Sequence, residues 1–530
     1  MRILAPFIVL LPALFGGCAI GRRLGRTGAL GALDRCLLVF GLLVVPPHVL
    51  GWLGKFEAGW LLGLEWALGA LAVGWTVRSR KALRALVSDV GDFVSGPMRA
   101  VRDAARDRDA LSLAGLSLGA ALLLFSLVRI YLAPSTSWDG LWYHDPMTCF
   151  AVQNGGFGWV ELPADGLQVI NGYPRLVEGL AGFFVALGGV QWIELPNLVA
   201  WPMLVVSLVV LADHAGVAKD RRLGFAVLIA TVPGIAFELG STYIDVCTSF
   251  LMIAAVALVS RPRVGLPDLW MAALATGMLA GAKSTAALIV PLFFVLALTT
   301  LRDPSLRSES RWRRAMPFLV GAVLVAGFAA PLYVRNYLHE GNPFWPLTLE
   351  SKTLGLSFEG PIEVVVAWPP VDIWLKETFG WPVQGLYHPD VRTHGYGHVL
   401  PFVVPLLAVL GLAGLWRARG HAHVLRLLVA CFGLVFVMKE VMWWGRFGIV
   451  PVAILCAVLL GRFSNEIHAV WMRRLLGLGL LIHAATLVYA EPGLMYGPAA
   501  LGELAGMDAP RRAAAMEGGI FPDTVALEAR

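Results

Sequence analysis

The chain has 530 residues, of which 58% are hydrophobic and only 15% charged, and its mean hydropathy is +0.71. Soluble proteins carry about a quarter charged residues, so this composition excludes a soluble enzyme, a disordered chain and a collagen-like one. The formal net charge of +6 does not mark a nucleic-acid binder, because the basic residues gather in short segments between apolar runs, as cytoplasmic loops do in membrane proteins.

Apolar runs of about 20 residues fit helices that cross a bilayer. The first three fall near 3–20, 31–53 and 58–76. Arg22, Arg23 and Arg26 follow the first, and Arg78, Arg80, Lys81 and Arg84 follow the third, which predicts a cytoplasmic position for both segments. Residues 77–109, with eight Lys/Arg and five Asp, form a charged connector expected to be helical and to lie on the membrane surface. Residues 1–109 thus form an N-terminal module of three spans and a connector.

A fourth run, about 110–131, carries the chain outward into a first outer loop over 132–174. From 135 to 174 there is no Lys or Arg, while Asp139, Asp145, Glu161 and Asp165 are present. That charge asymmetry places the loop outside. The stretch from Pro174 to Val190 is apolar but short, and later basic loops stay cytoplasmic only if it does not span. It is expected at the outer interface, as an amphipathic or re-entrant helix.

Further spans are expected near 197–213, 223–239, 246–260, 268–283, 286–301 and 316–333. A second outer loop, 335–397, is rich in Pro, Trp and Tyr. C-terminal helices over 398–490 fall near 398–416, 427–442, 447–461 and 475–490, and an outer tail follows over 491–530 with a short helix around 508–517. The predicted fold is an all-α polytopic membrane protein of about 14 transmembrane helices with two extracytoplasmic loop regions. No repeat of fixed period stands out. The six cysteines form no CxxC or Cys/His metal spacing; buried thiols are expected, with a Cys149–Cys247 disulfide as the alternative.

Five polar clusters map to the outer side under this topology. They are Trp138 to Pro146, Thr242 to Asp245, Lys283 to Thr285, Arg335 to Pro346 (including Asn342), and Trp443 to Arg446. Polar groups at the ends of membrane helices are costly unless they line water or a site. The residue types suit transfer of a sugar from a polyprenyl phosphate. A carboxylate such as Asp139 takes the acceptor hydroxyl proton. Lys283, Arg335 and Arg446 neutralise the leaving phosphate. Trp138, Trp142 and Tyr143 stack on sugar faces or sit at the headgroup level. The bland alternatives are an interfacial aromatic belt, a snorkelling Lys283 and a helix-capping Asp245. His144 orients a carboxylate, donates to a phosphate or joins His388, His394 and His398 around a divalent ion. No cofactor is otherwise implied.

At these residues the sequence resembles the GT-C superfamily of integral-membrane glycosyltransferases. The likeness is to the bacterial branch related to protein O-mannosyltransferases and lipid A aminoarabinose transferases. An Asp-x-x-x-Tyr-His-x-Pro pattern is matched by Asp139, Tyr143, His144 and Pro146, and an Asn-x-Tyr-Pro by Asn171, Tyr173 and Pro174. Tyr243 and Asp245 match a Tyr-x-Asp; Gly281, Lys283 and Ser284 match a Gly-x-Lys turn. Arg335 through Pro346 match Arg-Asn-Tyr…Gly-Asn-Pro-x-x-Pro.

The resemblance covers about 110–350, a GT-C-like catalytic core. It implies Asp139 as the catalytic carboxylate, Asp245 as a supporting acid, and His144 within the catalytic group. Tyr143, Tyr243, Lys283, Arg335, Asn342 and Arg446 would bind substrate. The loop reads His-Asp-Pro where the family has His-apolar-Pro, which leaves Asp145 open as the base. The implied activity is sugar transfer from a polyprenyl-phosphate donor to an envelope glycan, lipid or protein at the outer face of the bacterial inner membrane; inversion is expected because only one carboxylate is strongly placed beside the donor site. Membrane lipids are expected partners and nucleic acid is not. The rival readings are an O-antigen-type polymerase or ligase, relying on Arg335 and the later histidines, and a transporter or flippase of lipid-linked sugars.

Overall fold

The computed structural model describes residues 5–133, 137–161, 166–351, 355–363, 422–438, 445–461, 466–489, 498–507 and 511. The predicted span 398–416, most of the second outer loop, His388, His394, His398, Trp443, Trp444 and nearly all of the 508–517 helix lie outside them. The chain is an α-helical membrane protein. Among the described residues, six helices are long and apolar enough to cross a bilayer, or seven if one bent pair counts as a single span. Six further apolar helices are shorter, at 10–17 residues.

The N-terminal helices α1 (Ala5–Leu24), α2 (Gly28–Trp52) and α3 (Ala58–Thr76) fall where the apolar runs predict them. The charged connector folds into α4 (Arg80–Val94) and α5 (Gly96–Arg106), each amphipathic. Ser79 caps α4 by accepting the Ala82 N–H, and Asp109 caps α6 (Ala110–Leu132) by accepting that of Ser112. The three-span module is not a separate body: α2 packs against the later helices α9, α10 and α14. Arg26 ties the two parts together, pairing with Asp34 on α2 and with Asp268 on α14.

After the first loop, α7 (Asp145–Gln153), α8 (Leu167–Gly172) and α9 (Leu176–Gly188) follow. Every residue of α9 from Leu176 to Phe184 is buried. An amphipathic helix lying at an interface keeps one face outward, whereas one buried on all sides is a core element, so the amphipathic expectation for this stretch is corrected.

The bundle's centre is α13 (Asp245–Val259), buried at every position and flanked by α10 (Leu195–Ala215) and α14 (Leu266–Ala282). The span expected at 223–239 is broken. α11 (Lys219–Ala230) ends at Thr231, and α12 (Pro233–Ala236) with the short turn Phe237–Gly240 leaves at 67°. The cause is Pro233, which donates no N–H and forces Val232 into an extended ψ of 136°. α15 (Ala286–Thr300), the short α16 (Pro304–Arg307) and the 30-residue α17 (Arg311–Glu340) complete this part.

The all-α expectation is also amended beyond α17. Leu347-Thr-Leu-Glu alternates apolar and polar residues, the period of a strand. β1 (Leu347–Ser351) pairs antiparallel with β2 (Leu356–Phe358) and parallel with β3 (Ile362–Glu363). The C-terminal part contributes α18 (Ala422–Val437), α19 (Gly445–Leu460), α20 (Glu466–Tyr489) and α21 (Pro498–Ala505). All six cysteines are free thiols, so Cys149 and Cys247 form no disulfide.

Candidate active site

The residue Asp139 sits where α6 hands the chain to α7. Residues Gly140–His144 form a π-helical turn that runs straight into α7, with the Asp145 N–H donated to the Gly140 carbonyl. Such wide turns re-aim side chains and recur at functional sites. Pro146 fits directly after it, because the first turn of a helix has no use for its missing N–H.

Three other helix ends meet this turn. Asp245 is the first residue of α13, Lys283 caps the C-terminus of α14, and Arg446 is the second residue of α19. A carboxylate at a helix N-terminus and an ammonium at a C-terminus both suit the helix dipole, whereas a guanidinium at an N-terminus does not. Two carboxylates offset that cost. Arg446 Nη2 lies 2.9 Å from Asp139 Oδ2, and Nη1 lies 3.8 Å from Asp245 Oδ2. Asp245 in turn pairs with Lys283. The result is an alternating chain, Asp139–Arg446–Asp245–Lys283. Its inner members have side chains 3% and 5% exposed, and its end members, Asp139 and Lys283, 13% and 14%.

Aromatic groups frame this chain. The Arg446 guanidinium lies 4.4 Å from the centre of the Tyr243 ring, whose hydroxyl accepts the Asp139 backbone N–H at 3.3 Å. His144 packs against Tyr143 at 4.2 Å and edge-on to Tyr243 at 6.1 Å, and its Nδ1 lies 2.8 Å from Glu178 Oε1. Burial and the Asp139 charge push the Tyr143 phenol well above its ordinary range, and the same two causes push Tyr173 up to about 12. Both phenols therefore stay neutral donors beside that carboxylate. Trp138 and Trp142, on the same turn, are 54% and 40% exposed.

Asp145 faces elsewhere. Burial raises its carboxyl above the usual carboxylate range, partly countered by the neighbouring Thr242 hydroxyl and by His144. Arg335 and Asn342 form no described contact with the four-charge chain. The Arg335 guanidinium donates to the Phe157 carbonyl at 2.9 Å and to that of Asn171, under the Trp52 and Trp159 rings. Asn342 donates to the Leu347 and Glu359 carbonyls, both at 2.9 Å, and so folds the segment leading into the sheet.

Three buried polar residues at the site were not singled out from the sequence. Glu178 holds His144. Asn197 on α10 donates to the carbonyls of Glu238, Ser241 and Tyr243, fixing the turn that delivers Tyr243 and Asp245. Glu238 lies in that turn, electrostatically coupled to Asp245, Arg446 and Lys283. Polar residues inside apolar runs were the available signal, since membrane interiors tolerate them only for cause. Among the described residues no group of three or more His, Cys, Asp or Glu is placed to hold a metal ion. No family model, curated protein or solved structure matches the chain.

Proposed function

We propose that the protein is a membrane glycosyltransferase of GT-C type, moving a sugar from a polyprenyl-phosphate donor to an envelope glycan, lipid or protein acceptor at the outer face of the bacterial inner membrane. The observation that carries this is the alternating chain Asp139–Arg446–Asp245–Lys283, with its two more exposed members at opposite ends. One end offers a carboxylate to an acceptor and the other an ammonium to a phosphate.

In this reading the acceptor hydroxyl attacks the anomeric carbon as its proton passes to Asp139. The bond from that carbon to the phosphate oxygen breaks, and its electron pair leaves with the polyprenyl phosphate. Lys283 meets the growing phosphate charge. Arg446 is enclosed and carboxylate-bound, so it fits the orienting of Asp139 better than direct phosphate contact. Attack and departure on opposite faces invert the anomeric centre. Asp139 is favoured over Asp145 as base because Asp139 alone joins the cations. The polymerase reading has less support, since its key arginine, Arg335, is committed to backbone carbonyls.

The test is glycan profiling of a deletion strain complemented with wild type, Asp139→Asn or Asp145→Asn at matched expression. Loss of general-base help lowers rates by about 10²–10⁴-fold, so Asp139→Asn should leave the missing sugar unrestored while Asp145→Asn restores it. Full restoration by both variants would remove the carboxylate mechanism.

A further inference from the structure

The π-helical turn that carries Asp139 is held at both ends by groups outside it. At its start, the Asp139 N–H is bound by the Tyr243 hydroxyl at 3.3 Å. At its end, His144 Nδ1 meets Glu178 Oε1 at 2.8 Å. Glu178 is the one charged residue of α9 and is 4% exposed; Arg175, the buried N-cap of the helix, is electrostatically near it but donates to the Met147 and Ile170 carbonyls. A carboxylate in such a setting is costly unless it has a task. Its second oxygen, Oε2, has no hydrogen-bond partner among the described residues. Glu178 also lines a cavity of about 10 Å³, the size of one water position, together with Thr148, Asn197 and Tyr243.

We infer that Glu178 is a positioning residue for the transfer reaction, acting through His144 to clamp the turn that carries Asp139 against Arg446. This rests on the transferase reading above. The carboxylate accepts the Nδ1–H, which fixes the tautomer and plane of the imidazole between Tyr143 and Tyr243. The turn is a single π-helical turn held from outside at its two ends, so releasing its far end lets Asp139 drift from the line set by Arg446. Reaction geometry is sensitive to shifts of about 1 Å, which cost on the order of 100-fold in rate. Glu178 itself touches neither donor nor acceptor.

The experiment compares Glu178→Leu, which removes the acceptor, with Glu178→Gln, whose amide oxygen still accepts the Nδ1–H. Three quantities are read: the rate of glycan restoration in the deletion strain, binding of undecaprenyl phosphate to purified protein in nanodiscs, and the ¹⁵N resonance of His144 Nδ1. Groups that orient a histidine through its Nδ1–H at metal sites are worth about 10–100-fold, and the same scale is expected of Glu178 here. Glu178→Leu should slow restoration by that factor, with undecaprenyl phosphate bound as tightly as by wild type and the hydrogen-bonded Nδ1 signal lost. Glu178→Gln should recover most of the rate and the signal. If Glu178→Leu does not yield monodisperse protein, His144→Phe removes the donor of the same contact, and wild-type rates in it overturn the clamp.

Wild-type rates in Glu178→Leu, or a loss of binding that accounts for the whole rate loss, overturn the positioning role and leave the transferase reading intact. An unchanged Nδ1 signal in Glu178→Leu overturns the clamp itself. A wild-type protein that restores no glycan removes the transferase reading and the positioning role with it, while the resonance still decides the contact.

Discussion

Asp139 and Asp145 are six residues apart in the sequence and meet opposite environments. Asp139 lies against a guanidinium and a tyrosine hydroxyl, whereas Asp145 has its Oδ1 buried with no partner among the described residues. Because burial raises the Asp145 carboxyl above the unfolded value of about 4, the fold favours its protonated form. Its contribution to stability is fully present below that value and is lost as pH rises through the range where the folded group ionises. Asp145→Asn, a neutral stand-in, should raise the unfolding midpoint near pH 7.5 and leave it unchanged near pH 4, read by thermal unfolding in detergent. Equal midpoints at both pH values would mean that the carboxyl is not opposed by its surroundings. The sequence makes visible that Asp139, Asp245, Lys283 and Arg446 are costly residues at helix ends. It does not show that Arg446 pairs with an aspartate 307 positions away, since cost is local and partnership is not. Arg335 and Asn342 carry the same signal and spend it on backbone carbonyls.

The elements that escaped sequence reading share a cause: their character depends on what packs around them. The apolarity of α9 looks the same whether its faces meet lipid or neighbouring helices, and only burial by α2, α7 and α10 decides it. The break between α11 and α12 was marked by Pro233, yet hydropathy runs across it undisturbed. Where two segments meet backbone to backbone, a glycine is the trace. A Cβ on Gly172, the last residue of α8, would stand 2.4 Å from Pro346 Cδ and 2.6 Å from the Trp345 carbonyl oxygen. Asn336 on α17 bridges the same place, donating to the Gly172 and Trp345 carbonyls at 3.1 and 3.0 Å. Gly172→Ala should therefore push the segment leading into the sheet away from α8, at a cost of about 1–3 kcal/mol. Limited proteolysis should then cut between residues 341 and 363 faster than in wild type, and an unchanged cleavage rate would refute the close approach.

Across the whole molecule, α14 carries a buried charge cluster at each end. Lys283 belongs to the Asp139 group, and Asp268, near the other terminus, binds Arg26 and Arg261. At 1.5 Å per residue the two lie roughly 22 Å apart along the helix, with the wholly buried α13 beside them. Charge at two levels with an apolar layer between is the layout a bilayer imposes. The Asp268 cluster also fastens the α1–α2 junction to α14, because Arg26 is shared between Asp34 and Asp268. Asp268 is fully buried and also accepts the Gly265 N–H at 2.7 Å, so Asp268→Asn removes a counter-charge without removing the side chain's bulk. Breaking one partner of a buried ion pair costs about 3–5 kcal/mol, while replacing both with apolar groups is often close to neutral. Asp268→Asn should therefore lower the unfolding midpoint sharply, and the triple variant Asp34→Leu, Arg26→Met, Asp268→Leu, which leaves neither buried carboxylate without Arg26, should recover a large part of that loss. On the transferase reading, the triple variant should also keep its glycan-restoring activity, because the Asp139 cluster sits at the far end of α14. Additive losses in the triple variant would show that Asp34, Arg26 and Asp268 act separately, and that the N-terminal helices are held to the bundle by apolar packing.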